Sequence, residues 1–252
     1  MKDRANSIER RRQARILLPR PEVSTSRRQA LRLFTAAGLT AALPGFSTFA
    51  QRGAAAGGEE EISPAEDLMR EHGVLNRLLL VYEECISRLE RNSELNVAIV
   101  STAAGVIRSF IEDYHEKLEE NFLFPRYTQA RVLTDLVAVL KNQHEAGRRL
   151  TDSTLQLSAS TLQDVSEKAK LVRDLKYFVR MYRPHEARED TVLFPALRKI
   201  VSRNEYDSLG EEFERKEHEL FGEDGFEAVV DKVANLEKQL SIYDLAQFTP
   251  RP

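Results

Sequence analysis

The chain has 252 residues, 42% of them hydrophobic, enough for one substantial core with additions or for two small domains. Its formal net charge of -3 provides no global attraction for nucleic acid or an acidic membrane surface, and its one cysteine, Cys85, rules out an intrachain disulfide. Sparse Gly and Pro with 31% charged residues indicate a largely helical protein. Cys85 has no patterned partner and reads as a small apolar residue on a helix.

Residues 1–25 are basic and lack a hydrophobic pattern. Ser26-Arg27-Arg28-Gln29-Ala30-Leu31-Arg32 follows, then an apolar run from Leu33 to Leu43 that is too short to span a bilayer. Pro44 and Gly45 end it, and Thr48-Phe49-Ala50 offers small residues for cleavage. This order predicts a secretory signal over residues 1–50, of twin-arginine type, and a periplasmic protein. No cysteine stands at the end of the apolar run, so no membrane anchor is expected once the signal is removed. The twin-arginine route carries proteins that have already folded. Residues 51–62, rich in Ala and Gly and then acidic, read as a flexible linker.

Ser63-Pro64-Ala65-Glu66 is a helix start: a Ser cap, Pro in the first turn and Glu three residues after the cap. The first helix is expected to reach about Arg91, with Leu68, His72, Leu75, Leu79, Tyr82 and Ile86 on its inward stripe. A second, from about Glu94 to Phe122, carries Val100, Ala104, Ile107, Ile111, His115, Leu118 and Glu119 inward, and Leu123-Phe124-Pro125 is expected to close it. A third, from about Gln129 to Leu157, turns Leu133, Val137, Leu140 and His144 inward. After a loop at 158–161, where Thr161 and Asp164 offer caps, a fourth runs from about Leu162 to Leu193 with Leu171, Leu175, Phe178, Tyr182, His185 and Glu189 inward. Pro184 is expected to bend it beside His185. Helical segments near 205–219 and 226–242 follow, and His218, between Glu217 and Glu219, reads as a solvated helix residue. Four long helices with short connections predict an all-α, up-down-up-down four-helix bundle over residues 63–195, with a C-terminal helical extension over 196–252.

The chain repeats itself at an offset of 70 residues. His115-Glu116 with Glu119, Glu120 and Leu123-Phe124-Pro125 matches His185-Glu186 with Glu189, Asp190 and Leu193-Phe194-Pro195. A His and a carboxylate four apart share one helix face. His72 and His144 precede the two copies by 43 and 41 residues, so each half is a hairpin with one His on its first helix and a His/Glu pair on its second. A buried carboxylate is costly unless it is paired or binds a metal. The imidazole and carboxylate set, without thiolate, suits Fe, Mn or Zn. Six ligands, His72, His115, Glu119, His144, His185 and Glu189, exceed the needs of one tetrahedral zinc. They suit two octahedral ions, with two histidines on each, Glu119 and Glu189 bridging, and positions left for an oxo or hydroxo bridge and a ligand such as O2. Iron is the redox-capable metal that uses such vacancies. Glu116 and Glu186 adjoin the cluster or face solvent.

These residues, with the two Leu-Phe-Pro segments, resemble the hemerythrin-type, or HHE cation-binding, domain over about 63–195. The resemblance implies a four-helix bundle around a non-haem di-iron centre. Oxygen-carrying members have a second His four residues after the third-helix His, where this chain has Arg148, and an Asp five residues after the fourth-helix His. Asp190 stands at that offset, but Glu189 aligns with Glu119 in the repeat and is the assigned ligand, with Asp190 the alternative. The expected function is binding or sensing of O2, NO or peroxide, or holding iron, in the periplasm, with no nucleic-acid partner. An enzyme that reduces peroxide, NO or O2 and a purely structural metal staple are the alternatives.

Overall fold

A computed structural model describes residues 62–159, 164–222 and 225–250. The expected signal sequence, most of the linker and the Thr161 cap lie outside the described residues. Among the described residues there are six helices and no strand, so the all-α expectation holds.

Helix α1 is Pro64–Glu90. The Ser63 hydroxyl accepts from the Glu66 N–H at 3.3 Å, Pro64 fills the first turn, and Glu66 and Asp67 oppose the positive end of the helix dipole. Just past its end, Asn92 takes a left-handed φ of 53°, a conformation in which Asn is well tolerated.

Helix α2 covers residues 98–130 and departs from the expected stop. It is regular over Ala98–Val106, widens to π geometry over Ile107–His115, tightens over Glu116–Leu118, widens again over Glu119–Leu123 and ends as Phe124–Ala130. The Leu-Phe-Pro segment therefore does not close the helix. Proline lacks a donor and its ring crowds the preceding turn; a turn widened to i→i+5 spacing gives that ring room. The same device recurs in α4, made of Val165–Arg188, a π turn at Glu189–Leu193 and Phe194–Ile200. Pro184 lies within the Val165–Arg188 segment, and the Asp164 carboxylate caps its start by accepting from Ser166 N–H at 2.6 Å.

Between them lies α3, Thr134–Ser158; α5 is Arg203–Phe221, α6 is Gly225–Gln239, and a short 3-10 turn spans Leu245–Phe248. Helices α1 to α4 close a ring, α1 on α2, α2 on α3, α3 on α4 and α4 on α1, and the last segments of α2 and α4 also touch each other. Leu75, Leu78, Leu79, Tyr82, Cys85, Leu140, Leu171 and Phe178 fill its middle and are almost fully buried. Each large apolar side chain removed from water contributes about 1.5–3 kcal/mol before entropy is counted. Cys85 is an apolar core residue as expected, and burial pushes its thiol up to about 12.

Helices α5 and α6 pack on α1 and α2. Phe221 lies against Phe110 and Tyr114, and the fully buried Phe213 against Phe122. Arg77 donates twice to Glu237, at 2.9 and 2.6 Å, and Arg88 donates to the Leu240 carbonyl at 2.6 Å. No described helix is long and apolar enough to cross a membrane.

Candidate metal centre

All six predicted residues meet inside the bundle. His72 comes from α1, His115 from α2, His144 from α3 and His185 from α4, and none is more than 4% exposed. Glu119 and Glu189 are fully buried among them. Glu119 Oε1 lies 3.9 Å from His115 Nε2, and its Oε2 lies 3.4 Å from His144 Nε2. Glu189 Oε2 lies 3.4 Å from His72 Nε2 and 3.0 Å from His185 Nε2. Each carboxylate thus touches one histidine from each hairpin, which is the reach a bridging carboxylate needs. His72, His115 and Glu119 form one group whose donor atoms lie within 4.8 Å of one another, and His144, His185 and Glu189 form a second.

Both oxygens of Glu119, both oxygens of Glu189 and His144 Nε2 are buried without a hydrogen-bond partner. Leaving so many polar atoms unpaired in one place costs several kcal/mol in an apolar interior. One or two cations held between the imidazoles and carboxylates would satisfy them, so the donor set fits the metals its chemistry suits.

The outward ring nitrogens are all engaged. His72 Nδ1 is 2.7 Å from Asp190 Oδ1, His115 Nδ1 is 2.8 Å from Glu71 Oε2, His144 Nδ1 is 3.1 Å from Glu120 Oε1, and His185 Nδ1 is 2.9 Å from Gln143 Oε1. A carboxylate or amide oxygen accepts, so each Nδ1 carries a proton; Nε2 of a neutral ring then keeps a lone pair aimed inward, and the Nε2 atoms of His72 and His115 lie 3.0 Å apart, a proton on His72 lying between them. Metal-binding histidines are oriented in this way. Asp190, one-third exposed, stands outside the inner cluster and holds His72.

The repeat extends through these partners. Glu71 and Gln143 each precede the first histidine of a hairpin and bond the second histidine of that hairpin. Glu120 and Asp190 each follow the inner carboxylate and bond a histidine of the other hairpin. Phe124 stacks on His144 and Phe194 on His72, with centroid separations of 5.6 and 5.4 Å. The Leu-Phe-Pro segments therefore deliver an aromatic plate to the opposite hairpin. Asn76 donates to Glu186, and Arg148, four residues after His144 as Asn76 is after His72, donates to Glu116 at 2.7 Å and to Glu120 at 2.6 Å.

Glu116 and Glu186 are both buried, not solvent-facing. Tyr182 donates its hydroxyl to Glu116 Oε1 at 2.6 Å. Gly147 permits this contact, because a Cβ at that position would collide with the Tyr182 ring and hydroxyl. His218 is exposed, as expected, but its neighbour Glu217 is buried on α5 beside Asp67 and Glu71. A C-terminal helix therefore reaches the carboxylate that orients His115. Nothing in the spacing of the histidines points to Glu217; Glu71, Glu120 and Gln143 could have been found by extending the 70–72-residue repeat to the flanking positions.

Charge in this cluster is set by burial and neighbours. Burial disfavours the His72 cation, but its contacts with Asp190 and Glu189 outweigh that and raise it to about 10. Burial, then the charge of His72, pushes His115 well below the usual imidazole range. Burial and the nearby Glu189 raise Glu119, whereas His185 and His72 overcome burial and hold Glu189 below the usual carboxylate range. Burial also lifts Glu116 and Glu186 to about 8. Burial and the facing Glu189 thus favour a proton on Glu119, and a cation bound there would compete with it.

Residues 63–197 match the family model of the hemerythrin HHE cation binding domain. The match covers more than half the chain, and the chain belongs to that family. It is 50% identical over 193 residues to an uncharacterized protein of Mycobacterium bovis, covering 76% of each chain. Uncharacterized proteins from two Mycobacterium tuberculosis strains are similar to it at the same identity and coverage. No solved structure matches it.

Proposed function

We propose that the protein is a periplasmic, non-haem di-iron protein that binds or senses O2, NO or peroxide through Glu119, Glu189 and the four inward histidines. The observation that carries this reading is the convergence of four Nε2 atoms on two buried carboxylates whose four oxygens lack hydrogen-bond partners. Two iron ions held there would supply one-electron redox change and open coordination positions. The chain's own contribution is to fix the histidine tautomers through Glu71, Asp190, Glu120 and Gln143, and to exclude water with Phe124 and Phe194. Arg148 adds positive charge beside Glu116 and Glu120. Export through the twin-arginine signal over residues 1–50 is part of the same reading.

The test begins with cells grown with ample iron and separated into periplasm and cytoplasm. The periplasmic protein should carry about two iron atoms per chain, and changing Arg27 and Arg28 together to Lys should hold it in the cytoplasm. Addition of O2 to the anaerobic, reduced protein then separates the alternatives. A reversible optical change supports binding, continuing consumption with a reductant supports a redox enzyme, and indifference supports a structural staple. Wild-type protein without iron would end the di-iron reading.

A further inference from the structure

A groove of about 650 Å³ runs between α3 and α4 on the outside of the bundle and is open to solvent. Its lining includes Arg149, Lys170, Arg173 and Arg180 against one carboxylate, Asp174. Asp174 is taken up by Lys170 at 3.0 Å, Arg173 at 3.1 Å and Ser153 at 2.7 Å. Among the described residues, no carboxylate pairs with Arg149 or Arg180, and both are exposed. Tyr177, 55% exposed, lies on the same surface. From the Val165–Arg188 segment the groove draws Lys170, Arg173 and Arg180, whereas Lys176 and Arg183 pair with Glu90 and Glu83, so a basic face stands on a chain whose overall charge is negative.

The groove also reaches the candidate metal centre. Gln143 lines it and accepts from His185 Nδ1 at 2.9 Å, and Pro184, next to His185 in the chain, lines it too. One side chain therefore separates the surface from a candidate ligand. On the α1–α2 side, the approach is covered by α5 and α6.

We propose that the α3–α4 groove is the docking surface for a small acidic electron-carrier protein that reduces the metal centre through Gln143 and His185. The spread of charge favours a protein over a small anion. Lys170 and Arg180 are ten residues apart on one helix, about 15 Å, whereas a small anion is held by donors that converge. Exposed Arg and Tyr are the side chains that such interfaces favour. Each productive encounter would pass one electron from the reduced carrier, which is oxidised, to a ferric ion held beside His185, which would be reduced, with no bond formed or broken. The electron step rests on the di-iron reading, but the docking surface does not.

The experiment uses the full mature chain, metal-free and iron-loaded, with a reduced acidic [2Fe–2S] ferredoxin as probe and the basic carrier cytochrome c as control. Ferredoxin should shift amide resonances along the groove of the metal-free chain, and the shifts should fade as salt is raised. The double variant R149E/R180E should weaken that binding on the order of tenfold or more and slow reduction of the iron-loaded chain in parallel. Tyr177→Ser should weaken both without changing charge. Unaltered binding by R149E/R180E, equal binding of cytochrome c, or saturation of the groove by inorganic phosphate without any response to ferredoxin would overturn the proposal. Docking by a chain that never takes up iron would instead keep the surface and discard the di-iron reading.

Discussion

The hairpin α1–α2 and the hairpin α3–α4 are two versions of one device, and their differences are more informative than their likeness. Both supply two inward histidines, a buried glutamate, a π turn and a phenylalanine stacked on a histidine of the other. They differ where a polar residue precedes the first histidine: Glu71 holds His115 with a carboxylate, whereas Gln143 holds His185 with a neutral amide. They differ again four residues after that histidine, at Asn76 and Arg148. The first hairpin is covered by α5 and α6 and receives Glu217 beside Glu71; the second faces solvent along a basic groove. The duplicated parts make a site of matched halves, and the unmatched parts assign one half to the covered side and the other to the open side.

The sharpest way to break the comparison is to remove one inner carboxylate at a time. On the proposed di-iron reading, Glu119→Ala and Glu189→Ala should each lose most of both ions by elemental analysis, because each carboxylate reaches histidines of both hairpins. Loss of one ion in one variant only would show that the halves load independently.

A smaller effect is expected at Gly147, which has no glycine counterpart in α1. Gly147→Ala adds a methyl group where the Tyr182 hydroxyl lies, forcing it away from Glu116. Alanine is the better helix former by about 1 kcal/mol, but the overpacking costs about 1–3 kcal/mol, so the midpoint of thermal unfolding should fall. A rise in that midpoint would mean that Tyr182 moves aside without cost.

The finest test exchanges the carboxylate and the amide. Glu71→Gln should lower metal affinity by roughly 10–100-fold, the usual loss when the partner of a ligating histidine is changed, while Gln143→Glu should raise affinity at the second half. In each case affinity should climb as pH is raised, because His72, held up at about 10, gives up a proton to bind. Metal titrations at several pH values measure both the gap and the slope, and equal affinities for the two variants would mean that the Glu71/Gln143 difference has no bearing on the metal.

Most of the fold and the inner cluster were legible because the apolar stripes of four helices carry the histidines in phase. His72 follows Leu68 and precedes Leu75, and His185 follows Tyr182, so period alone turns them inward. Two of the outer partners, Glu120 and Asp190, were less legible because the phase slips. A regular helix would turn Glu120 about 100° away from Glu119, but both lie in a π turn, and Glu120 reaches His144. The same slip hid the continuation of α2 and α4 through Pro125 and Pro195, where proline in the first turn after a π turn costs the helix little. Glu217 was illegible for a different reason: its burial depends on α5 docking against α1, a contact no local pattern encodes.

The crossed bonds at the histidine rings also bear on when the site can exist. Asp190 lies 118 positions from the His72 ring that it orients, and Phe194, the plate under that ring, is further still along the chain. A chain ending at residue 159, with α1 to α3 complete, would contain His72, His115, His144 and Glu119 but neither His185, Glu189, the acceptor for His72 nor its plate. Local helix formation is fast, while contacts of such separation arrive with closure of the whole topology. The centre is therefore a late product of folding: neither hairpin holds a finished half-site, and a metal ion meets the full donor set only in a chain whose four helices have already closed.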